Sequence, residues 1–197
     1  MKNELHVKIS TINIRLKSVR TFLNFCYKQS YMDKVEIILI KDHTTKIPYT
    51  DEEILRLLKF PDLDNCNIVQ QFTRLRNWVI TNYFLSTGNR LRTVSYIKTE
   101  DVDLKRKVVT LYETKNKEVI EFPLSDTIIM ILTHYISIRK SLPGEYLFCS
   151  IKGTQLDKRA IAHALIKYNR KRGVLKTSTH LYRHRFAQDF CRSNRKY

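Results

Sequence analysis

Along residues 10–31 apolar side chains recur at three- and four-residue steps: Ile12, Leu16, Val19, Leu23 and Cys26, behind a Ser10-Thr11 pair able to cap the first turn. This spacing predicts one long amphipathic helix. Such a helix needs a surface to pack on, so it reads as the end of an N-terminal helical domain whose other helices lie outside this chain. Residues 35–40 are β-rich, but 41–48 are polar and turn-prone, which reads as a linker. A boundary near residue 45 then separates residues 1–45 from a second domain over 46–197.

The second domain opens on Thr50-Asp51-Glu52-Glu53, a capping box that predicts a short helix through Leu58. The next predicted helix, over about 67–84, carries Ile68, Phe72, Leu75, Val79 and Tyr83 on one stripe with Trp78 beside it, the pattern of a central core helix. Gly88 ends it, and residues 90–96 predict another short helix. Three β-rich stretches follow at 102–104, 108–112 and 119–122, the last two joined by the polar turn Thr114-Lys115-Asn116-Lys117. Ser125 is placed to cap a helix bearing Ile128, Ile129, Leu132, Tyr135 and Ile136. After the break at Pro143-Gly144 and the short apolar piece Tyr146-Leu147-Phe148, two further helices are predicted over 157–172 and 181–191. The expected class is mainly α (α+β), helical with a small three-stranded antiparallel sheet, and no internal repeat is present.

Charge changes this picture more than size does. The 197 residues hold 36 Lys and Arg against 19 Asp and Glu, a net +17 that points to a polyanionic partner. A highly charged but ordinary surface is the alternative. Residues 151–197 alone hold thirteen basic residues against Asp157 and Asp189, so that end is expected to face nucleic acid. Cys26, Cys66, Cys149 and Cys191 are far apart, without a CxxC pair or metal-ligand spacing, and read as reduced thiols lying mostly in the core. With no apolar leader after Met1 and no run of membrane-spanning length, a soluble, cytoplasmic protein is expected.

Two short basic motifs stand ninety residues apart: Thr87-Gly88-Asn89-Arg90 and His180-Leu181-Tyr182-Arg183-His184. Phosphodiester cleavage passes through a pentavalent phosphorus whose non-bridging oxygens carry charge, so catalysis is mostly positioning and charge stabilisation. Arg90 and Arg183 offer fixed donor forks to such oxygens. His180, three residues before Arg183, shares its face if a helix begins there and can move protons. Lys115 in the hairpin turn can reach a leaving oxygen as general acid, although turn geometry alone serves Lys117 equally well. Each residue also has a plain reading, as a surface arginine, a turn lysine or a neighbour of a helix cap. Their order along the chain is what links them.

That order resembles the tyrosine recombinase and phage integrase family. Its first box, Thr-Gly-x-Arg, is matched by Thr87, Gly88 and Arg90; its hairpin lysine by Lys115, before the strand that ends in Pro123-Leu124. Its second box, His-x-x-Arg-His followed by an aromatic and Ala, is matched by His180, Arg183, His184, Phe186 and Ala187. The lead-in from Tyr49 to Ile54 looks like the start of the family's catalytic domain, and residues 13–29 are similar to the last helix of its core-binding domain. The resemblance implies a helical catalytic domain with a three-stranded sheet, and cofactor-free, metal-free strand exchange through a 3′-phosphotyrosyl intermediate. Arg90 and Arg183 would bind the scissile phosphate, Lys115 would act as general acid and His180 as acid/base.

It further implies double-stranded DNA as partner, a homo-tetramer on DNA, accessory DNA-bending or directionality proteins, no membrane, and a nucleoid-associated place of action as integrase or transposase of a mobile element such as a phage. The chain departs from the family pattern at Thr93, where an acid is usual, and at Arg185, where a small polar residue is usual and extra charge beside the second box is expected. Only seventeen residues follow His180, ending at Tyr197 without a Leu-Gly-His-like segment, so the nucleophilic tyrosine is expected outside this chain. A DNA-binding protein that keeps the fold but does not cut is the main alternative. An RNA-binding protein is disfavoured, because the aromatic residues fall mainly on core stripes.

Overall fold

A computed structural model describes residues 7–41, 47–112 and 119–194, with the side chains of the last helix followed to Arg192. The chain divides into two compact units, Met1–Lys46 and Ile47–Tyr197. In the first, α1 (Ile9–Lys28) half-buries Ile12, Leu16, Leu23 and Cys26, whereas Val19 stays exposed. Asn13 holds the following segment: its Nδ2 donates to the Ile40 carbonyl at 2.7 Å and its Oδ1 accepts the Ile40 N–H at 2.9 Å. Residues 35–40 form no strand, and this side chain satisfies backbone groups that a ladder partner would otherwise take.

The second unit is built on α3 (Ile68–Thr87), capped by the Asn67 side chain on the Gln70 N–H. Its middle is buried on more than one face: Phe72, Leu75, Val79, Ile80, Tyr83 and Phe84 join the core, and Arg76, Thr81 and Asn82 are buried too. A helix enclosed on several sides needs several packing partners. α2 (Asp51–Leu58), α5 (Asp126–Arg139), α6 (Lys158–Lys171) and α7 (Thr179–Asn194) all pack on it. Ile68, placed on the core stripe by its spacing, is 72% exposed because the buried part begins one turn later, at Phe72. Short α4 (Leu91–Tyr96) packs on α6.

The sheet is three-stranded and antiparallel in the order β1-β2-β3, with β1 (Val102–Asp103), β2 (Val108–Leu111) and β3 (Ile120–Pro123). Val109 lies opposite both Val102 and Phe122, and Val109 and Leu111 carry the buried face. Tyr112, the last residue of the β-rich stretch 108–112, falls one residue past β2 and is 62% exposed. The turn over 114–117 lies outside the described residues. Ser125 occupies the N-cap position of α5, but its hydroxyl makes no capping bond there. Of the cysteines only Cys149 is buried; Cys26 and Cys66 are half-buried and Cys191 is exposed, so the expected core thiols reduce to one.

Buried polar side chains fasten the helices to one another. The Tyr182 hydroxyl of α7 donates to Asn169 Oδ1 of α6 at 2.6 Å, Asn169 Nδ2 donates to the Tyr49 hydroxyl at 3.0 Å, and that hydroxyl donates to the Lys176 carbonyl at 3.2 Å. Lys176 Nζ in turn meets Glu53 Oε2 at 2.7 Å and the Pro48 carbonyl at 2.8 Å. Glu53 is also the reciprocal half of the capping box, accepting the Thr50 N–H at 2.8 Å while Thr50 Oγ1 accepts the Glu53 N–H. Arg139, 2% exposed, donates to the carbonyls of Tyr146, Leu142 and Gly144, so the Pro143-Gly144 turn wraps around a guanidinium.

Burial pushes the Glu53 carboxyl upward, but hydrogen bonds from Lys176 and Thr50 outweigh it and hold the pKa below the ordinary value. A depressed folded pKa contributes stability above the unfolded value of about 4.3 and loses it as pH falls through the folded value. Glu53→Gln is therefore expected to lower stability by roughly 1 kcal/mol at neutral pH, with the two chains converging in acid. Urea unfolding followed by circular dichroism at a series of pH values measures it.

Candidate active site

Helix α3 ends by geometry that only its own residues permit. Gly88 takes φ +58°, donates to the Phe84 carbonyl at 2.9 Å, and closes the helix in the left-handed region that glycine enters without penalty. Thr87 Oγ1 donates back to the Tyr83 carbonyl at 2.8 Å and accepts the Asn89 N–H, while Asn89 Nδ2 donates to the Tyr83 hydroxyl at 3.0 Å. The turn is thus tied to the last turn of α3. It delivers Arg90 as the N-cap residue of α4, exposed at the surface.

The second box arrives on α7. Leu181 and Tyr182 face the core, 8% and 0% exposed, which leaves His180, Arg183 and His184 exposed. Arg183 Nη1 donates to the Gly88 carbonyl at 2.7 Å, joining the two boxes across 95 residues of chain. The ring of Phe186, one turn further on, lies against Gly88 so closely that a Cβ there would sit 2.5 Å from it. Phe186 also meets Phe122 of β3 at 6.4 Å between ring centres and Phe190 at 6.2 Å, binding the sheet to α7.

These elements enclose a pocket of about 320 Å³. Arg90 and Arg183 supply its charge, Thr87, Gly88, Asn89 and Thr93 its polar wall, and Leu111, Ile120, Phe122, Phe186 and Ala187 its apolar wall. No carboxylate lines it, and among the described residues none pairs with Arg90 or Arg183, so two permanent cations face a space suited to an oxyanion. His180 stands one turn before Arg183 on the same helix but is not part of the wall. Lys115 lies outside the described residues; the strands that flank it in sequence each contribute a wall residue, Leu111 and Ile120.

Arg185 does not add free charge beside the second box. Its side chain, 12% exposed, bonds Asp189 at 2.7 Å, pairs with Asp51, and donates to the Tyr49 carbonyl at 3.1 Å. Burial disfavours its charge, but the bonds to Asp189 and Asp51 outweigh it and raise its pKa. Arg185 thereby fastens α7 to the start of α2. The i,i+4 spacing to Asp189 was the available sequence signal; the bond to Asp51 had none.

Tyr49, Tyr83, Tyr135, Tyr168 and Tyr182 are buried, and burial raises the pKa of each hydroxyl, that of Tyr49 to about 12. All five are engaged in hydrogen bonds within the core. Among the described residues no cluster of His, Cys, Asp and Glu fit to hold a metal occurs, and no helix is long and apolar enough to cross a membrane.

Residues 49–195 match the phage integrase family along their length. The chain belongs to that family, the tyrosine recombinases. It is 31% identical over 182 residues to tyrosine recombinase XerD of Staphylococcus epidermidis, covering 87% of this chain and 59% of the relative. Tyrosine recombinase XerC of Thermodesulfovibrio yellowstonii is 27% identical over 192 residues, covering 90% and 61%. The chain thus spans about three-fifths of the length of these recombinases. Among solved structures, the Tn1549 transposon integrase in complex with transposon right end DNA superposes with a TM-score of 0.75 at 17% identity, over 96% of this chain and 69% of that one. XerA recombinase superposes with a TM-score of 0.65 at 22% identity, over 97% and 65%. At these identities the likeness establishes the fold, a helical tyrosine-recombinase catalytic domain with its small sheet.

Gly88→Ala is expected to destabilise this member by roughly 2–3 kcal/mol, combining a left-handed backbone with a Cβ driven into Phe186. Phe186→Leu in the same chain should recover part of that loss, a non-additivity that a double-mutant cycle in urea reads directly.

Proposed function

We propose that this chain supplies the phosphate-binding part of a site-specific recombinase of a mobile element, in which a tyrosine attacks the scissile phosphodiester to leave a 3′-phosphotyrosyl link. The observation that supports this most is the meeting of Arg90 and Arg183 on one pocket that holds no carboxylate. The two guanidinium groups would grip the non-bridging oxygens and stabilise the charge that grows on them. His180, one turn from Arg183, would serve as acid/base, and Lys115 would protonate the leaving 5′-oxygen. Energy stored in the phosphotyrosyl bond makes a nucleotide cofactor unnecessary.

On the same reading residues 1–45 are the end of a core-binding domain and its linker, and residues 46–197 belong to the catalytic domain. Duplex DNA is the substrate. The Tn1549 integrase was solved on transposon end DNA and the lambda integrase as a tetramer bound to a Holliday junction; assembly of this chain as a homo-tetramer on DNA, with accessory bending proteins, follows by analogy. The five buried tyrosines, their hydroxyls engaged in the core, are not candidates for the attacking tyrosine; a protein that occupies DNA sites without cutting them is the second reading.

Binding to a duplex should weaken steeply between about 50 and 200 mM salt, and Arg90→Ala should reduce the logarithmic slope by no more than about one. Fluorescence anisotropy across a salt series measures both, and a flat profile would remove DNA as the partner. The full-length protein on a nicked suicide substrate is expected to form a covalent adduct, and Arg90→Ala or Arg183→Ala to lower its rate by a factor of about 100 or more. Mass spectrometry of the adduct identifies the tyrosine. Intact DNA binding with no adduct would select the binding-only reading.

A further inference from the structure

The second unit also carries a concave surface larger than the pocket at the paired arginines. A groove of about 810 Å³ runs between α3, α6 and the loop that joins α2 to α3. Its floor is apolar: Ala160, Ala164 and Tyr168 follow one another at four-residue steps along α6, with Leu156 before them and Phe60 opposite. Phe60 is 52% exposed, held by an edge contact on Trp78 at 5.0 Å between ring centres. The rim is cationic, with Lys59, Arg74, Lys167, Lys171 and Arg172 against the single acid Asp62.

A sixth cation is sunk in the wall. Arg76 is 7% exposed and bonds only neutral acceptors among the described residues, the Cys149 carbonyl at 2.8 Å and Asn77 Oδ1 at 3.1 and 3.3 Å. Burial depresses its pKa, and no carboxylate offsets the loss of solvation. Neutral acceptors and the Phe72 ring, 5.9 Å from its guanidinium carbon, hold that charge in the wall, where it adds to the positive field of the rim.

We propose that this groove docks an amphipathic helix of an acidic partner protein, its apolar face on the alanine floor and its carboxylates on the rim. Ala160 and Ala164, one turn apart, leave room for a helix to lie close, and an apolar floor with a charged margin is the composition of a helix-receiving groove. The cationic rim selects a helix rich in carboxylates; of the described helices of this chain only α2 carries more acids than bases, and it is already packed on α3. Duplex DNA matches the charge of the rim but not the floor: phosphates pressed onto it would lose water against apolar side chains that return no hydrogen bond.

The test uses a fluorescein-labelled peptide of about five helical turns with leucines on one face and glutamates on the other. A scrambled peptide of the same composition and a lysine-for-glutamate version serve as controls. The acidic amphipathic peptide is expected to bind the full chain saturably, and K167E/K171E to weaken it about tenfold or more. Circular dichroism shows whether the variant is folded, and Ala164→Trp, which fills the floor without touching charge, should weaken binding to a similar degree. Duplex DNA should not displace the peptide. Equal binding of the scrambled peptide, no saturable binding, or displacement by duplex with a matching loss of DNA affinity in K167E/K171E would overturn the proposal, the last by making the groove a nucleic-acid surface.

Discussion

The candidate site depends on one close approach, the ring of Phe186 lying where a Cβ of residue 88 would be. Because Gly88 has none, the end of α3 can settle onto α7, and only then does its carbonyl come within hydrogen-bond reach of Arg183. The same ring packs against Phe122, so the first box, the second box and the base of the hairpin share one side chain as their meeting point. The pocket is defined by this packing rather than by attraction between its charged residues, which repel one another. Two like charges kept on one small space must be held there by something else, and here the apolar wall and the Arg183 hydrogen bond do so.

Behind that contact lies a second tier of constraint. The α7 backbone is fixed by Tyr182 on Asn169 on one side and by Arg185 on Asp51 and Asp189 on the other. Both ties lead to residues at the start of the second unit, where Tyr49, Asp51 and Glu53 sit within five positions. A displacement of that segment would therefore be felt at the helix that carries Arg183. Buried networks of this kind specify one arrangement because every alternative leaves a polar group without a partner.

Much of this was legible in the sequence where the cause is local. The Thr50 capping box, the Gly88 stop, the three strands and the apolar runs of α3 and α5 are set by residues within a turn or a strand of one another. Arg90 and Arg183 could be singled out by motif, and the fold brings them to one pocket. What the sequence hid was the inward use of charge: Arg185 reads as extra charge beside the second box, and nothing marks it, Arg76 or Arg139 as buried, because their partners are carbonyls, an amide or distant carboxylates that residue type does not announce. Tyr112 and Ile68 misled for the opposite reason, since periodicity carries no mark of where burial begins and ends. Cysteine spacing offered no CxxC or metal-ligand pattern and said nothing of depth, which of the four only Cys149 reached.

The carbonyl cage around Arg139 bears on how the chain's +17 should be understood. A guanidinium closed in by Leu142, Gly144 and Tyr146 releases no counterion to DNA and steers no encounter; its fork acts as a template that sets the shape of a turn. A lysine there would preserve the formal charge and lose the template, since one ammonium cannot meet three carbonyls along the directions of a planar fork. The basic residues of this chain thus divide into those that generate a field and those that hold geometry. An electrostatic footprint drawn from composition counts both, and the surface that a polyanion meets is narrower than the sequence suggests.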